Sequence, residues 1–324
     1  MSRHGALITD RRCPVAKDAG LAARLRRTVE ALCAAGPRST AHPQSTQEAL
    51  CVIAQDLTAN GYVIMEHRFG EAPGEVNLLC EAPGLVRSDV VLEVAAHYDT
   101  VPESPGADDN ASGVAAVLEI AARLAINPAE VTVRFCLFGR EESGMHGSKA
   151  HVAGLAQRGQ SHRGALIFES IGYRDPKEDS QRSPLRVPWL LWLPRTGDFI
   201  AAVANLPSRR LCNTFAAAAA TAAPWLPVHR MAWQGSLLRH AARSDNYSYW
   251  KQGYRALMIT DTANFRNPNY HRSSDLPDTI DYEFMAEVVQ AAHRAVQVLA
   301  SATLAMAPPS AGGRSEPTES IPAD

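Results

Sequence analysis

The sequence predicts an α/β fold, a three-layer α/β/α sandwich built on a mostly parallel mixed sheet. Three observations lead there. From about residue 90 to residue 169, short apolar runs of strand length alternate with longer stretches of helical character, the order produced by parallel strands joined through crossover helices. The runs Val131 to Phe138 and Ala165 to Glu169 are apolar at most positions rather than at alternate ones, so both faces of the sheet must be covered. The ionisable side chains cluster just beyond these runs, on the edge where open α/β sheets place their ligands.

In chain order, Ala16 to Ala35 carries an apolar stripe of Leu21, Leu25, Val29 and Leu32 at helical spacing, and Gly36-Pro37 stops it. A second helix is expected from Ser45 to Asn60, closed by Asn60-Gly61 in a left-handed cap. Tyr62 to Phe69, Val76 to Glu81 and Val90 to His97 read as strands between Pro/Gly turns. The alternation then runs through a helix at Ala111 to Leu124, a strand at Val131 to Phe138, a helix at Gly147 to Arg158 and a strand at Ala165 to Glu169. From Arg174 to Gln234 the pattern is broken by Pro184, Pro188 and Pro194, so loops, one or two short helices and an edge strand are expected. Ala256 to Asp261 reads as another buried strand and Tyr282 to Ala300 as a closing helix. Residues 1–306 are expected to form one domain, and the polar, Pro/Gly/Ser-rich tail 307–324 to be disordered.

Composition removes several classes of function. The chain has 324 residues, 46% of them hydrophobic and 20% charged, enough to build a substantial core. Lysine and arginine total 32 against 34 acidic residues, so no basic excess exists to neutralise a nucleic-acid backbone. The alanine-rich stretch from Phe215 to Pro224 falls well short of the ~20 apolar residues of a membrane span. The first residues lack the apolar run of a secretory leader, and the six cysteines Cys13, Cys33, Cys51, Cys80, Cys136 and Cys212 are too scattered for a zinc knuckle or a disulfide scaffold. A soluble cytoplasmic protein with reduced thiols is expected.

His97 and Asp99 end one expected strand, Glu141 and Glu142 follow another, Glu169 closes a third, and His271 lies beyond ALMITD. In a parallel sheet all of these face one crevice. So many carboxylates together repel, and something positive must sit among them. Asp109, Glu142 and Glu169 supply three negative charges and neutral His97 and His271 supply nitrogen donors, a set that two divalent cations and one hydroxide would neutralise. Mixed histidine and carboxylate ligation without thiolate suits zinc, and manganese or cobalt can use the same donors. In HYDTV the one-residue spacing puts Asp99 on the side of His97, placed to accept its second ring N–H. Of the glutamate pair, one can bind metal while the other moves a proton. Glu169 follows an apolar stretch, where an unpaired acid is seldom buried.

HYDTV, PGADDNASGVA, FGREESGMHGSK, FESIGY, SDNYSYW and NYHRSSD, in that order, resemble zinc metallopeptidase family 28, which includes the two-zinc bacterial aminopeptidases. The segment GPRSTAHPQSTQEAL also resembles that family's N-terminal approach, and the likeness spans roughly residues 36 to 300. The resemblance implies that Asp109 bridges two zinc ions, that His97 and Glu169 complete one site, and that Glu142 and His271 complete the other. It implies Glu141 as general base and Tyr270 as a stabiliser of the oxyanion. Asp108 is passed over as the bridge because the family's ligand stands immediately before the Asn-Ala-Ser-Gly step. Many members carry aspartate where this chain has Glu169, and Ser244-Asp245-Asn246 is commonly SDH.

The expected activity is hydrolysis of an amide, the N-terminal peptide bond of a small peptide or an amino-acid conjugate. The alternatives are a specialised amidase acting on a non-peptide metabolite, a glutaminyl-peptide cyclotransferase using a single zinc, and a binding protein on an inactive scaffold. Trp189, Trp192, Trp225, Trp233 and Tyr247 are the aromatic candidates for a substrate pocket, equally suited to core packing.

Overall fold

A computed structural model describes residues 20–72, 74–183, 194–233, 235 and 239–304. The tail expected at 307–324, the first residues of the first expected helix, Cys13, Trp189 and Trp192 lie outside the described residues. One eight-stranded sheet runs through the molecule in the order β1-β2-β4-β3-β5-β8-β6-β7. At its centre β3 (Arg87–His97), β4 (Val131–Phe138), β5 (Ser161–Glu169) and β8 (Ala256–Thr260) are parallel. On one side β2 (Val76–Ala82) pairs antiparallel with β4, and β1 (Met65–Arg68) antiparallel with β2. On the other, β6 (Ile200–Ala204) runs antiparallel to β8 and carries β7 (Val228–Met231) at the far edge.

Side chains alternate across each strand, so every central strand feeds two cores. Leu92, Val94 and Ala96 of β3, with Val131, Val133, Phe135 and Leu137 of β4, face one layer. That layer comprises α1 (Leu21–Cys33), α2 (Pro43–Ala59), α3 (Gly113–Ile126), α5 (Arg209–Ala222) and α7 (Tyr282–Leu299). Ala95, Cys136 and Phe138 face the opposite layer, formed by α4 (His146–Ala153) and α6 (Asn246–Lys251). The expected sandwich is therefore present, with its helices divided unequally. The cap after α2 forms as the sequence indicates: Gly61 has φ 83°, and the Tyr62 N–H reaches the Leu57 carbonyl. Among the described residues no helix is long and apolar enough to cross a membrane.

The middle of the chain is more regular than expected. β6 is an inner strand between β8 and β7, and α5 spans 14 residues. Both are alanine-rich, and alanine contributes so little apolar contrast that neither the strand nor the helix period stands out; only Leu211, Cys212, Phe215, Ala218 and Ala219 mark the buried face of α5.

One inward-facing residue of β3 is charged. Glu93 is fully buried beneath the α4 and α6 layer and accepts from Arg134 at 2.7 Å, His151 at 3.0 Å, His162 at 3.1 Å and the Tyr249 hydroxyl at 2.7 Å. Burial opposes its ionisation, yet the two imidazoles hold it well below the usual carboxylate range. Four donors satisfy this charge and tie both helices to the sheet.

Candidate active site

The parallel register brings the strand ends level. Ala96 of β3 pairs with Phe168 of β5, so the next residues, His97 and Glu169, emerge side by side, and His97 pairs with Phe138, three residues before Glu141. Asp109 reaches the same place from a wide turn over Ala107–Ser112 that precedes α3. That turn needs glycine at its start: Gly106 has φ 61°, and a Cβ there would come within 2.3 Å of the Asp109 carbonyl oxygen. His271 comes from the loop after β8 in a left-handed conformation, φ 59°, its ring stacked on Tyr270 at 3.9 Å.

His97 is 1% exposed, and its Nδ1 lies 3.1 Å from the main-chain oxygen of Asp99. A carbonyl can only accept, so Nδ1 carries a proton, and in the neutral ring Nε2 presents a lone pair. That lone pair faces Asp109 Oδ1 at 3.3 Å and Glu169 Oε2 at 3.4 Å. The other oxygen of Asp109 lies 3.1 Å from His271 Nε2, which is itself 3.0 Å from Glu142 Oε2. Five sequence-selected side chains thus form two triads sharing Asp109, each with donor atoms close enough to surround one ion. His97 Nε2, both oxygens of Asp109, Glu142 Oε1 and His271 Nε2 are buried without a hydrogen-bond partner. Lone pairs converging without donors lack a cation, and nitrogen and carboxylate donors in these numbers fit a pair of divalent metal ions.

Proton affinities carry the same message. Burial, reinforced by Asp109, pushes Glu142 up to about 8, and burial pushes Glu141 well above the usual carboxylate range. Both imidazoles resist the effect of burial: the Glu169 carboxylate holds His97 well above its ordinary value, and Asp109 with Glu142 hold His271 up to about 10. Asp109, between the two imidazoles, is held below the usual carboxylate range, so positive charge is favoured on the groups around a carboxylate that stays ionised.

Glu141 is 7% exposed and belongs to neither triad. Asp99 departs from its expected part. Its carboxylate Oδ1 is 3.5 Å from His97 Nδ1, and the imidazole N–H points to the Asp99 main-chain oxygen instead. The side chain accepts the main-chain N–H groups of Glu141 at 3.0 Å and Glu142 at 3.2 Å, which fixes the paired glutamates. The Asp99 carboxylate thus stays on the His97 side, as the spacing predicts, but at a longer distance than its own main-chain oxygen. Asp108, passed over as a bridge, points away and accepts from the Gly172 N–H and the Asn267 side chain.

Sequence reasoning did not select two supporting residues. The Ser244 hydroxyl donates to Glu169 Oε2 at 2.7 Å. Asp275 is fully buried and accepts the N–H groups of Asp108 at 2.9 Å and Asp109 at 3.1 Å, one on each carboxylate oxygen. Asp275 stands four residues after His271 and so joins the loops of two triad members. Its place in NYHRSSD was a signal, but nothing local says that its partner lies 166 residues away. Replacing Asp275 by asparagine keeps the shape and removes one acceptor; metal affinity is expected to fall about 10- to 100-fold, as for other supports of ligand groups. Equilibrium dialysis with circular dichroism as the fold control checks this, and unchanged affinity contradicts it.

Beside the triads lies an open recess lined by Glu169 and Tyr270 and by Val203, Met231, Met258 and Phe265. Among the described residues, the aromatic candidates Trp225, Trp233 and Tyr247 do not line it: Trp225 and Trp233 are 67% and 47% exposed, and Tyr247 lies under the Lys251 ammonium. A third ligand-type group, Glu93, Cys136 and His151, sits deep in the core, where Arg134 already provides the cation at 2.7 Å.

The model of peptidase family M28 matches residues 77–296. A protein of Escherichia coli strain K12 described as uncharacterized protein YfbL is 35% identical over 213 residues, a stretch covering 61% of this chain and 64% of the relative, just under two thirds of its length. The LapA aminopeptidase of Legionella pneumophila superposes with a TM-score of 0.68 at 19% identity, covering 86% of this chain and 72% of that one. BSAP, a zinc aminopeptidase of Bacillus subtilis, superposes with a TM-score of 0.55 at 22% identity, covering 70% and 50%. At these identities the superpositions establish the α/β fold.

Proposed function

We propose, from the premise that this chain belongs to peptidase family M28, that it is a zinc-dependent aminopeptidase removing N-terminal residues from small peptides or amino-acid conjugates. The observation that carries this reading is the pair of triads sharing Asp109, with their lone pairs unpartnered and one acid, Glu141, left over beside them. His97 and Glu169 would hold one zinc ion, His271 and Glu142 the other, and Asp109 would bridge them. Paired divalent ions supply Lewis-acid polarisation of the scissile carbonyl and acidify water.

The remaining work falls to the chain. Glu141 takes the proton of the attacking water and delivers it to the leaving nitrogen, for which burial suits it by raising its proton affinity. Asp99 holds the main chain at 141 and 142, so the carboxylate of Glu141 is aimed before substrate arrives. The Tyr270 hydroxyl, on a ring stacked against His271, donates to the carbonyl oxygen as negative charge develops there. The recess beside Glu169 receives the side chain of the N-terminal residue.

The test is a screen of zinc-reconstituted protein against aminoacyl anilides, dipeptides and N-acylated amino acids, with ammonia measured in parallel. Cleavage of anilides and dipeptides that stops on chelation is expected. Turnover of N-acyl compounds alone would make the protein an amidase. Ammonia released from N-terminal glutamine, with one metal per chain, would make it a cyclotransferase. No turnover at full metal loading would leave a binding protein.

A further inference from the structure

The recess has two ends of different chemistry. Val203, Met231, Ala241 and Met258 are each 7% exposed or less and form its apolar interior. Arg243 lines the same recess but is exposed, and among the described residues no carboxylate pairs with its guanidinium. Arg243 directly precedes Ser244, whose hydroxyl is bonded to Glu169, so this fixed positive charge sits one residue from a side chain touching the candidate metal centre. Within the lining, Glu169 carries the fixed negative charge and Arg243 the fixed positive one.

We infer that Arg243 selects substrates carrying a carboxylate, held at the rim while an apolar side chain fills the interior. This rests on the aminopeptidase reading and narrows it. A guanidinium presents a planar fork that matches a carboxylate, and it gives up hydration more readily than an ammonium, so an arginine on this recess with no carboxylate partner among the described residues is suited to capture an anion. The carboxylate has two sources on a short substrate: the free C-terminus of a dipeptide, or the acidic side chain of its first residue. The apolar interior favours the first, because an acidic side chain pointing inward would meet methionine and valine.

The experiment compares Leu-Gly with Leu-Gly-NH₂, which differ only in the terminal carboxylate. The zinc-loaded protein is expected to prefer Leu-Gly by about ten-fold in kcat/KM, the scale of one charge-assisted hydrogen bond. Arg243→Gln should collapse that preference to near unity, and Arg243→Lys should keep part of it. The same ratio is read without turnover as calorimetric Kd values on zinc-loaded Glu141→Gln protein. A preference missing from the unmutated protein, or surviving in Arg243→Gln, overturns the inference. A parallel pair, Glu-NH₂ and Gln-NH₂, assigns the carboxylate to the side chain if Arg243→Gln acts on that pair instead. Binding selectivity without hydrolysis of either dipeptide would refute the aminopeptidase reading and leave the selection by Arg243 standing.

Discussion

Glu141→Gln is expected to lower turnover by about 10²- to 10⁴-fold while leaving metal content at the unmutated level. The substitution keeps the size and the burial of the side chain and removes its ability to accept and return a proton. Glu141 lies outside both triads, so no donor atom is lost from either. Its main-chain N–H still reaches Asp99, so the loop keeps its anchor and Glu142 stays in place. The measurement is kcat on an aminoacyl anilide beside elemental analysis of the same sample. Equal turnover in both proteins would remove Glu141 from the mechanism, and a fall in metal content would make it a ligand.

Asp109→Asn is expected to empty both metal positions, whereas His271→Ala empties one. The two oxygens of Asp109 face different triads, at 3.3 Å from His97 and 3.1 Å from His271, so one carboxylate serves both. An amide supplies one neutral oxygen where the carboxylate supplied two that share a charge, and the repulsion among Glu142, Glu169 and the remaining acids then goes uncompensated. Removing His271 takes a single nitrogen from the Glu142 side and leaves His97, Asp109 and Glu169 intact. Elemental analysis after dialysis should give near zero for Asp109→Asn and about half the unmutated content for His271→Ala, with turnover lost in both. Equal metal in the two variants would show that Asp109 does not act as a bridge.

Much of the fold was legible because its signals are local. The apolar run from Val131 to Phe138 predicts β4 to the residue, since a strand covered on both faces carries its own composition. Asn60-Gly61 announced the end of α2 through a conformation that glycine adopts freely. β6 and α5 escaped notice because alanine is neutral between strand and helix patterns, and their pairing with β8 and α7 decided them. Nothing local marks the role of Glu93, because its four partners come from four different elements.

The candidate site divides in the same way. From the sequence alone came the eight residues His97, Asp99, Asp109, Glu141, Glu142, Glu169, Tyr270 and His271, because each stands at the end of a recognisable strand or in a motif whose order is distinctive. Tertiary structure alone decided which of them meet: the β3 and β5 register sets His97 beside Glu169, and the turn at Gly106 delivers Asp109 between two histidines 174 residues apart in number, 97 and 271. It also decided that the Asp99 side chain holds the glutamate loop, that Asp275 holds the Asp109 turn, and that the recess is walled by methionine and valine. Residue type and periodicity are properties of neighbours along the chain, whereas a donor's direction depends on strand register and loop path, which are settled when distant segments pack.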